Sequence, residues 1–171
     1  MVAPISDSGL AHLAALPNPR GIGLSLTHIG NAGIAHPRPC ARLEDLALSN
    51  TLVDDEGLRS LEHLPCLQRP FLSKTPIAGP GLRSLEHLVG LEDLDLPAVR
   101  DADEQVKYLA NLTRLRSLSL KHADSSDTGL RHLARLTKME MLDPASTDVT
   151  LGDGGTPRGS SDLACIPKRP S

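Results

Sequence analysis

The stretch from Leu43 to Leu67 reads LEDLALSNTLVDDEGLRSLEHLPCL and carries two hydrophobic periods in succession. Leu46 and Leu48 alternate with Asp45 and Ala47, the pattern of a strand with one buried face. Leu58, Leu61 and Leu64 then recur every third residue, as on one face of a short helix. The same arrangement returns every 24 residues without a slip, in units beginning at Ile5, Ile29, Val53, Ile77, Asp101 and Ser125. A seventh unit starts at Val149 and fails. One octapeptide, GLRSLEHL, occurs identically at 57–64 and 81–88.

Each unit can be numbered from zero at its first residue. Offsets 5, 8, 11, 14, 17 and 19 define 36 positions, of which 32 are apolar, counting Cys40. A chain that is 39% hydrophobic would place about 14 apolar residues there at random. Offset 4 is glycine in five units (Gly9, Gly33, Gly57, Gly81, Gly129), and offset 22 is threonine in four (Thr27, Thr51, Thr75, Thr147). Offset 2 is Asp7, Asp55, Asp103 and Asp127, with Asn31 in the second unit, where an N-cap would start the helix of its own unit. A unit is therefore strand, turn, helix, turn. It cannot bury its leucines alone, and stacking in register buries them between neighbours.

Composition fits a repeated environment. Thirty-one of the 171 residues are leucine, there is no Trp, and Tyr108 and Phe71 are the single Tyr and Phe. A net charge of −3 argues against a general nucleic-acid or anionic-membrane binder. No apolar run approaches a membrane span, and MVAPISDSGL has neither region of a secretion signal, so a cytoplasmic location is expected. Three cysteines without metal-ligand spacing agree with a reducing compartment.

The pattern L-x-x-L-x-L-x-x-T-x-I/V-x-D-x-G-L resembles the leucine-rich-repeat family, in particular its 24-residue bacterial type, from Ile5 to Asp148. The resemblance implies an α/β solenoid of about six coils, with a parallel sheet on the concave side and short helices on the convex side. It also implies a ladder of Asn or Thr side chains bonding turn backbone inside the coil, here Thr27, Thr51 and Thr75. Val99 and Ala123 interrupt that ladder in the fourth and fifth units. The expected organisation is a stub at 1–4 without an evident cap, then six repeats at 5–28, 29–52, 53–76, 77–100, 101–124 and 125–148. Residues 149–171 are read as an aborted seventh repeat and a disordered Gly/Pro/Ser-rich tail.

All four exceptions among the 36 positions are prolines: Pro19, Pro37, Pro70 and Pro144. Proline in a helix interior or central strand removes a donor and costs roughly 3 kcal/mol or more. They are either adaptive bends or signs of a decaying array. Solenoids need terminal caps, so uncapped ends would also permit self-association.

Offsets 16 and 18 are expected to face solvent on the concave side. Offset 16 runs Gly21, Asp45, Arg69, Asp93, Ser117, Met141, and offset 18 runs Gly23, Ala47, Phe71, Asp95, Ser119, Asp143. Offset 15 beside them runs Arg20, Glu44, Gln68, Glu92, Arg116, Glu140. Asp45–Arg69–Asp93 and Glu92–Arg116–Glu140 alternate in sign, which is either cross-strand pairing or a mostly acidic binding stripe anchored by Arg69. Phe71 is either an exposed hot spot in that stripe or turned inward to fill the space left by Pro70.

Other chemistry is weakly signalled. His12, His36 and His132 share offset 7, and His63 and His87 share offset 10, which places them on the convex surface by repeat duplication rather than as ligands. Ser49, Ser73 and Ser119 are expected in the turn after the strand, with no His and Asp set beside one of them as a triad requires. Cys40 reads as a core residue, Cys66 as a turn residue and Cys165 as an exposed thiol of the tail. No enzyme, metal or cofactor is expected.

The expected function is a non-catalytic protein-interaction scaffold that binds an unknown protein partner on the concave face. Its candidate residues are Asp45, Arg69, Phe71, Asp93, Asp95 and Asp143. The alternative is a degenerate or truncated fragment of a longer array. The resemblance also extends, distantly, to the substrate-recognition repeats of ubiquitin-ligase adaptors.

Overall fold

In the computed structural model, residues 5–10, 12, 18–35 and 42–143 are described. Six strands lie at the same offsets of successive units: β1 (Gly21–Gly23), β2 (Asp45–Ala47), β3 (Arg69–Phe71), β4 (Asp93–Asp95), β5 (Ser117–Ser119) and β6 (Met141–Asp143). They form one parallel sheet in sequence order, in which paired residues are equivalents 24 positions apart, as Gly21 to Asp45 and Asp45 to Arg69. The opposite side carries α1 (Asp7–Leu10), α2 (Asn31–Ile34), α3 (Asp55–Leu58), α4 (Ala102–Gln105) and α5 (Asp127–His132). Short 3₁₀ segments continue α3, α4 and α5, and Pro80–Leu85 is 3₁₀ throughout. The fourth coil thus has a proline-led 3₁₀ turn where its neighbours begin with α-helix.

The leucines of the two periods meet between sheet and helices. Leu58, Leu61, Leu67, Leu82, Leu85 and Leu91 are fully buried, and so are Leu94 and Leu118 on the inward side of β4 and β5. Thr27, Thr51 and Thr75 are buried beside them and donate their hydroxyls to the carbonyls of Leu24, Leu48 and Leu72, at 2.6–2.7 Å. Val99 and Ala123 fill the same place with apolar atoms. The turn after the strand uses left-handed backbone at Leu26, Asn50, Lys74 and His122, all at offset 21. Pro97 precedes the equivalent Ala98, and there the left-handed residue is absent. Ser49 and Ser73 lie in this turn, whereas Ser119 ends β5, two positions earlier in its unit.

The helix-start expectation needs correction. Asp54 and Ser126, at offset 1, cap α3 and α5 through Glu56 N and Thr128 N. The offset-2 side chain reaches forward into the next coil instead. Asp7 accepts from Gly30 N at 2.8 Å, and Asn31 accepts from Asp54 N at 3.1 Å. Asp55 accepts from Ala78, Gly79 and Gly81 N–H at 2.8–3.1 Å, and Asp103 accepts from Ser126 and Gly129 N–H at 2.7 and 3.1 Å. Asp7, Asn31, Asp55 and Asp103 therefore each satisfy orphan donors where the helical turn of the next coil starts. The glycine at offset 4 makes room for that side chain: a Cβ on Gly33 would lie 2.5 Å from Asp7 Oδ1, and one on Gly57 2.5 Å from Asn31 Oδ1. Where offset 2 is itself glycine, at Gly79, the following offset 4 is Gln105.

Pro70 is buried in β3, between β2 and β4, and keeps the inward position of its unit. Its neighbours show what it removes. The β3–β4 register is reduced to Phe71 against Asp95, while the other junctions hold three pairs. Asp93 N bonds Gln68 O, and Leu72 N bonds Asp95 O, so the missing ladder donor between them is residue 70. Pro19 is half-buried ahead of β1; Pro37, Pro144 and Cys40 lie outside the described residues. Pro70→Leu should restore a donor in a place that Ile22, Leu46, Leu94, Leu118 and Leu142 occupy in the other strands. The gain is offset by a freer unfolded chain, leaving a net stabilisation of about 1 kcal/mol. A urea midpoint that rises at constant slope is the expected reading, and a midpoint that falls would contradict it.

Candidate functional site

The pleat sends offset 17 into the core and offsets 16 and 18 outward, so the six candidate residues all stand on the concave face. Phe71 is 42% exposed, which excludes the inward orientation: Pro70 fills its own core position, and the alternation is kept. Asp45 and Arg69 form a two-pronged pair, with Arg69 Nη2 2.9 Å from Asp45 Oδ2 and Nε bonded to the other oxygen. The Arg69 hydrogen bonds hold the Asp45 carboxyl below the usual carboxylate range against a smaller opposing effect of burial. Asp93 and Glu92 add their fields to that of Asp45 in raising Arg69. Half of the alternation expected along Asp45–Arg69–Asp93 is thus a direct ion pair, and the other half acts at longer range.

Asp95 accepts a hydrogen bond from the Ser73 hydroxyl, and Asp143 pairs with Lys121 at 3.3 Å. Arg20 reaches Glu44 at 3.1 Å, and Arg116 reaches Glu140 at 3.6 Å. At such exposed sites these pairs contribute a few tenths of a kcal/mol each. They fix side-chain directions more than they stabilise the fold.

The face is not uniform. Gly21, Gly23 and Ala47 leave its first strands nearly bare. From β3 onward it becomes a trough of about 810 Å³. Phe71 and Met141, 42% and 52% exposed, stand at its two sides. They belong to β3 and β6, three strand spacings apart, or about 14 Å. Short side chains make the floor between them: Asp93 and Asp95 on β4, Ser117 and Ser119 on β5. Lys74, Arg100, Lys121 and His122 rim the edge where the strands turn. Phe71, Asp93, Asp95 and Asp143 therefore share one cavity, and the Asp45–Arg69 pair lies outside it, beyond Phe71.

Two features of the trough escape the periodic reading. Met141 stands in the offset-16 ladder, and nothing in the ladder marks it as the far wall, three strands from Phe71 and two residues off its register. The basic rim depends on the turn after the strand. Its clearest signal in sequence is Pro97, which stands where the first three units have Ser and the fifth has Lys and reshapes the turn beside the cavity.

The remaining candidates stay apart. His12, His63, His87 and His132 are exposed on separate coils, and no group of three or more His, Cys, Asp or Glu among the described residues could hold a metal ion. Cys66 is an exposed turn residue with a free thiol. No described helix is long and apolar enough to cross a membrane.

The comparisons with known proteins agree with this geometry. An internalin (inlF) from Listeria monocytogenes has a TM-score of 0.54 at 21% identity, over 80% of this chain and 43% of its own. Internalin C2 of the same organism gives 0.53 at 21%, over 81% of this chain and 64% of its own. The plant peptide hormone receptor RGFR1, solved in complex with RGF2, gives 0.50 at 16%, over 71% and 20%. The chain folds as a leucine-rich-repeat solenoid. It spans less than two-thirds of the length of each of these leucine-rich-repeat neighbours. No protein-family model and no curated sequence matches it.

Proposed function

We propose that the solenoid is a non-catalytic protein-interaction module whose partner seats in the concave trough. The observation that carries this reading is the pair of exposed walls, Phe71 and Met141, on either side of a floor of short polar side chains. An exposed aromatic ringed by polar and charged groups has the composition of an interface hot spot. Recognition would rest on burying these walls, with Asp93, Asp95 and Asp143 setting charge preference and Asp45–Arg69 forming a flank. The plant receptor among the structural neighbours, solved in complex with RGF2, supports a recognition role by analogy of fold.

The test is site-specific. A photo-crosslinking amino acid placed at Phe71, at Met141 or at the convex His63 is irradiated in cells. The same partner captured from Phe71 and Met141, but not from His63, is the expected result. Phe71→Ala should then weaken that partner about 10- to 100-fold, the range of a hot-spot truncation. Equal capture from the convex position, or an affinity unmoved by Phe71→Ala, would overturn the reading.

A further inference from the structure

The junction between the third and fourth coils is loosened on one side only. At every junction the offset-15 N–H meets the preceding offset-15 carbonyl at 2.7–2.9 Å. One residue on, the offset-16 N–H reaches that carbonyl at 2.9 Å at three junctions, but at 3.2 Å from Asp93 to Gln68 and 3.1 Å from Ser117 to Glu92. After the strand, Leu24, Leu48 and Leu120 donate to the next coil at 2.8–2.9 Å, and Leu72 and Leu96 at 3.2 Å. In the turn, Leu26 and Asn50 donate to Ser49 and Ser73, while the N–H groups of Lys74 and Ala98 make no hydrogen bond among the described residues. Both junctions of the fourth coil are thus stretched, but unequally. β4–β5 lacks the carboxylate brace at Gly79, yet it keeps three register pairs and two turn bonds, from Asp124 N to Val99 O and from Ala102 N to Asp124 O. β3–β4 keeps one pair, because Pro70 offers no N–H. Behind the sheet this same junction is firmly held: Asp55 accepts from Ala78, Gly79 and Gly81 N–H, and Arg100 N bonds Ala78 O at 2.9 Å.

We propose that the first three coils tilt against the last three about this junction, parting β3 from β4 on the concave face and so changing the width of the trough. The Asp55 brace is the pivot, and a few residues at element ends take up the motion. The trough straddles the junction: Phe71 moves with β3, while Asp93, Asp95, Ser117, Ser119 and Met141 move with β4 to β6. Charge pairing on this face leaves the motion free. Arg20–Glu44 and Arg69–Asp45 lie before the junction, and Arg116–Glu140 and Lys121–Asp143 lie after it. The Ser73 hydroxyl on Asp95 is the one side-chain hydrogen bond that crosses it on the concave face among the described residues, which makes this pair a latch. A partner that fits one width selects that form from the two. This consequence rests on the trough being the partner site; the tilt is a property of the free chain, so the two claims fail separately.

Two measurements on the full chain, without a partner, test it. The first is amide hydrogen exchange by NMR. The Leu72 N–H should exchange at least tenfold faster than those of Leu48 and Leu120, although all three residues are fully buried. Fraying towards the ends of the array acts on Leu48 and Leu120 first, so it biases the comparison the other way. The second measurement reads the trough directly. Spin labels on Phe71→Cys and Met141→Cys, with Cys40, Cys66 and Cys165 replaced by serine, report the distance between the walls and its spread. Pro70→Leu restores the ladder donor and should narrow that spread at least twofold. Pro70→Ala, which restores the N–H without a large side chain, should narrow it as well. Ser73→Ala removes the latch and should broaden it. Equal exchange at Leu72, Leu48 and Leu120, or a spread that the three substitutions leave unchanged, would each refute the hinge. Circular-dichroism melts of every variant confirm that the compared chains are equally folded.

Discussion

Gly81→Ala is expected to destabilise the solenoid by about 3 kcal/mol, while the same change at Gly9 is neutral or stabilising by up to about 1 kcal/mol. Both residues occupy offset 4 and open a helical turn, where alanine ordinarily gains on glycine. Their surroundings reverse the sign. A Cβ on Gly81 would lie 2.7 Å from both Asp55 Cα and Asp55 O, which are backbone atoms held by the sheet-to-helix frame. Relieving that contact means moving the third coil away from the fourth. The move would stretch the bonds from Asp55 to Ala78, Gly79 and Gly81. A Cβ on Gly9 would meet only Ile5 Cγ2, at 3.8 Å.

Gly57 falls between. Its Cβ would meet Asn31 Oδ1 at 2.5 Å, Val53 Cγ1 at 2.8 Å and Ile34 Cδ1 at 3.1 Å, all side-chain atoms that can shift. Gly57→Ala should therefore cost about 1–2 kcal/mol. Urea midpoints of the three variants give the ranking, and equal shifts at Gly81 and Gly9 would refute the packing explanation.

That ranking also marks where sequence reading reached its limit. The strands and the buried leucines were legible because they follow from one-dimensional periods: every second residue inward on a strand, every third inward on a short helix; the threonine ladder was legible through the resemblance to leucine-rich repeats. The forward reach of Asp7, Asp55 and Asp103 was not. A cap is sought within three residues of its helix, and these carboxylates act 23 to 26 residues ahead. The trace they leave is a correlation between units, glycine at offset 4 wherever the preceding coil offers a side chain at offset 2. The exchange at Gly79 and Gln105 is its one inversion.

The candidate site divides in the same way. Asp93, Asp95 and Asp143 follow from alternation as outward-facing residues and Asp45–Arg69 from lateral register, whereas alternation left Phe71 open between outward and inward, and Pro70 in its own core position decides it. Which of them share a cavity depends on curvature and on the turns beside Pro97, and neither is written in the period. The hydrogen bonds that reach from one coil to the next are also electrostatic. Hydrogen bonds from the Ser126 side chain and backbone hold the Asp103 carboxyl below its ordinary range, and the Asn31 amide does the same for Asp54.

Leu94→Ala should have the largest effect, about 3–5 kcal/mol, and should change the form of unfolding as well as its midpoint. Leu94 is 1% exposed on the inward side of β4, next to the strand whose own donor is lost at Pro70. The fourth coil also lacks the offset-2 carboxylate, at Gly79, and the ladder threonine, at Val99. Two links between coils are therefore missing on either side of this leucine, one to the third coil at Pro70 and one to the fifth at Gly79, and the threonine bond within the fourth coil is missing as well. In a solenoid each coil contacts only its neighbours, so stability is a sum of coil and interface contributions. A cavity in the coil whose two interfaces each lack one link should uncouple the coils before it from those after it. Unfolding of Leu94→Ala in urea is expected to be shallower than that of the parent, with a reduced slope, and to resolve into two steps by hydrogen exchange. Ile22→Ala, at the half-buried inward position of the first strand, should shift the midpoint by about 1 kcal/mol and keep one transition. A single cooperative transition with the parent slope for Leu94→Ala would mean that backbone pairing and the remaining leucines couple the coils without those links.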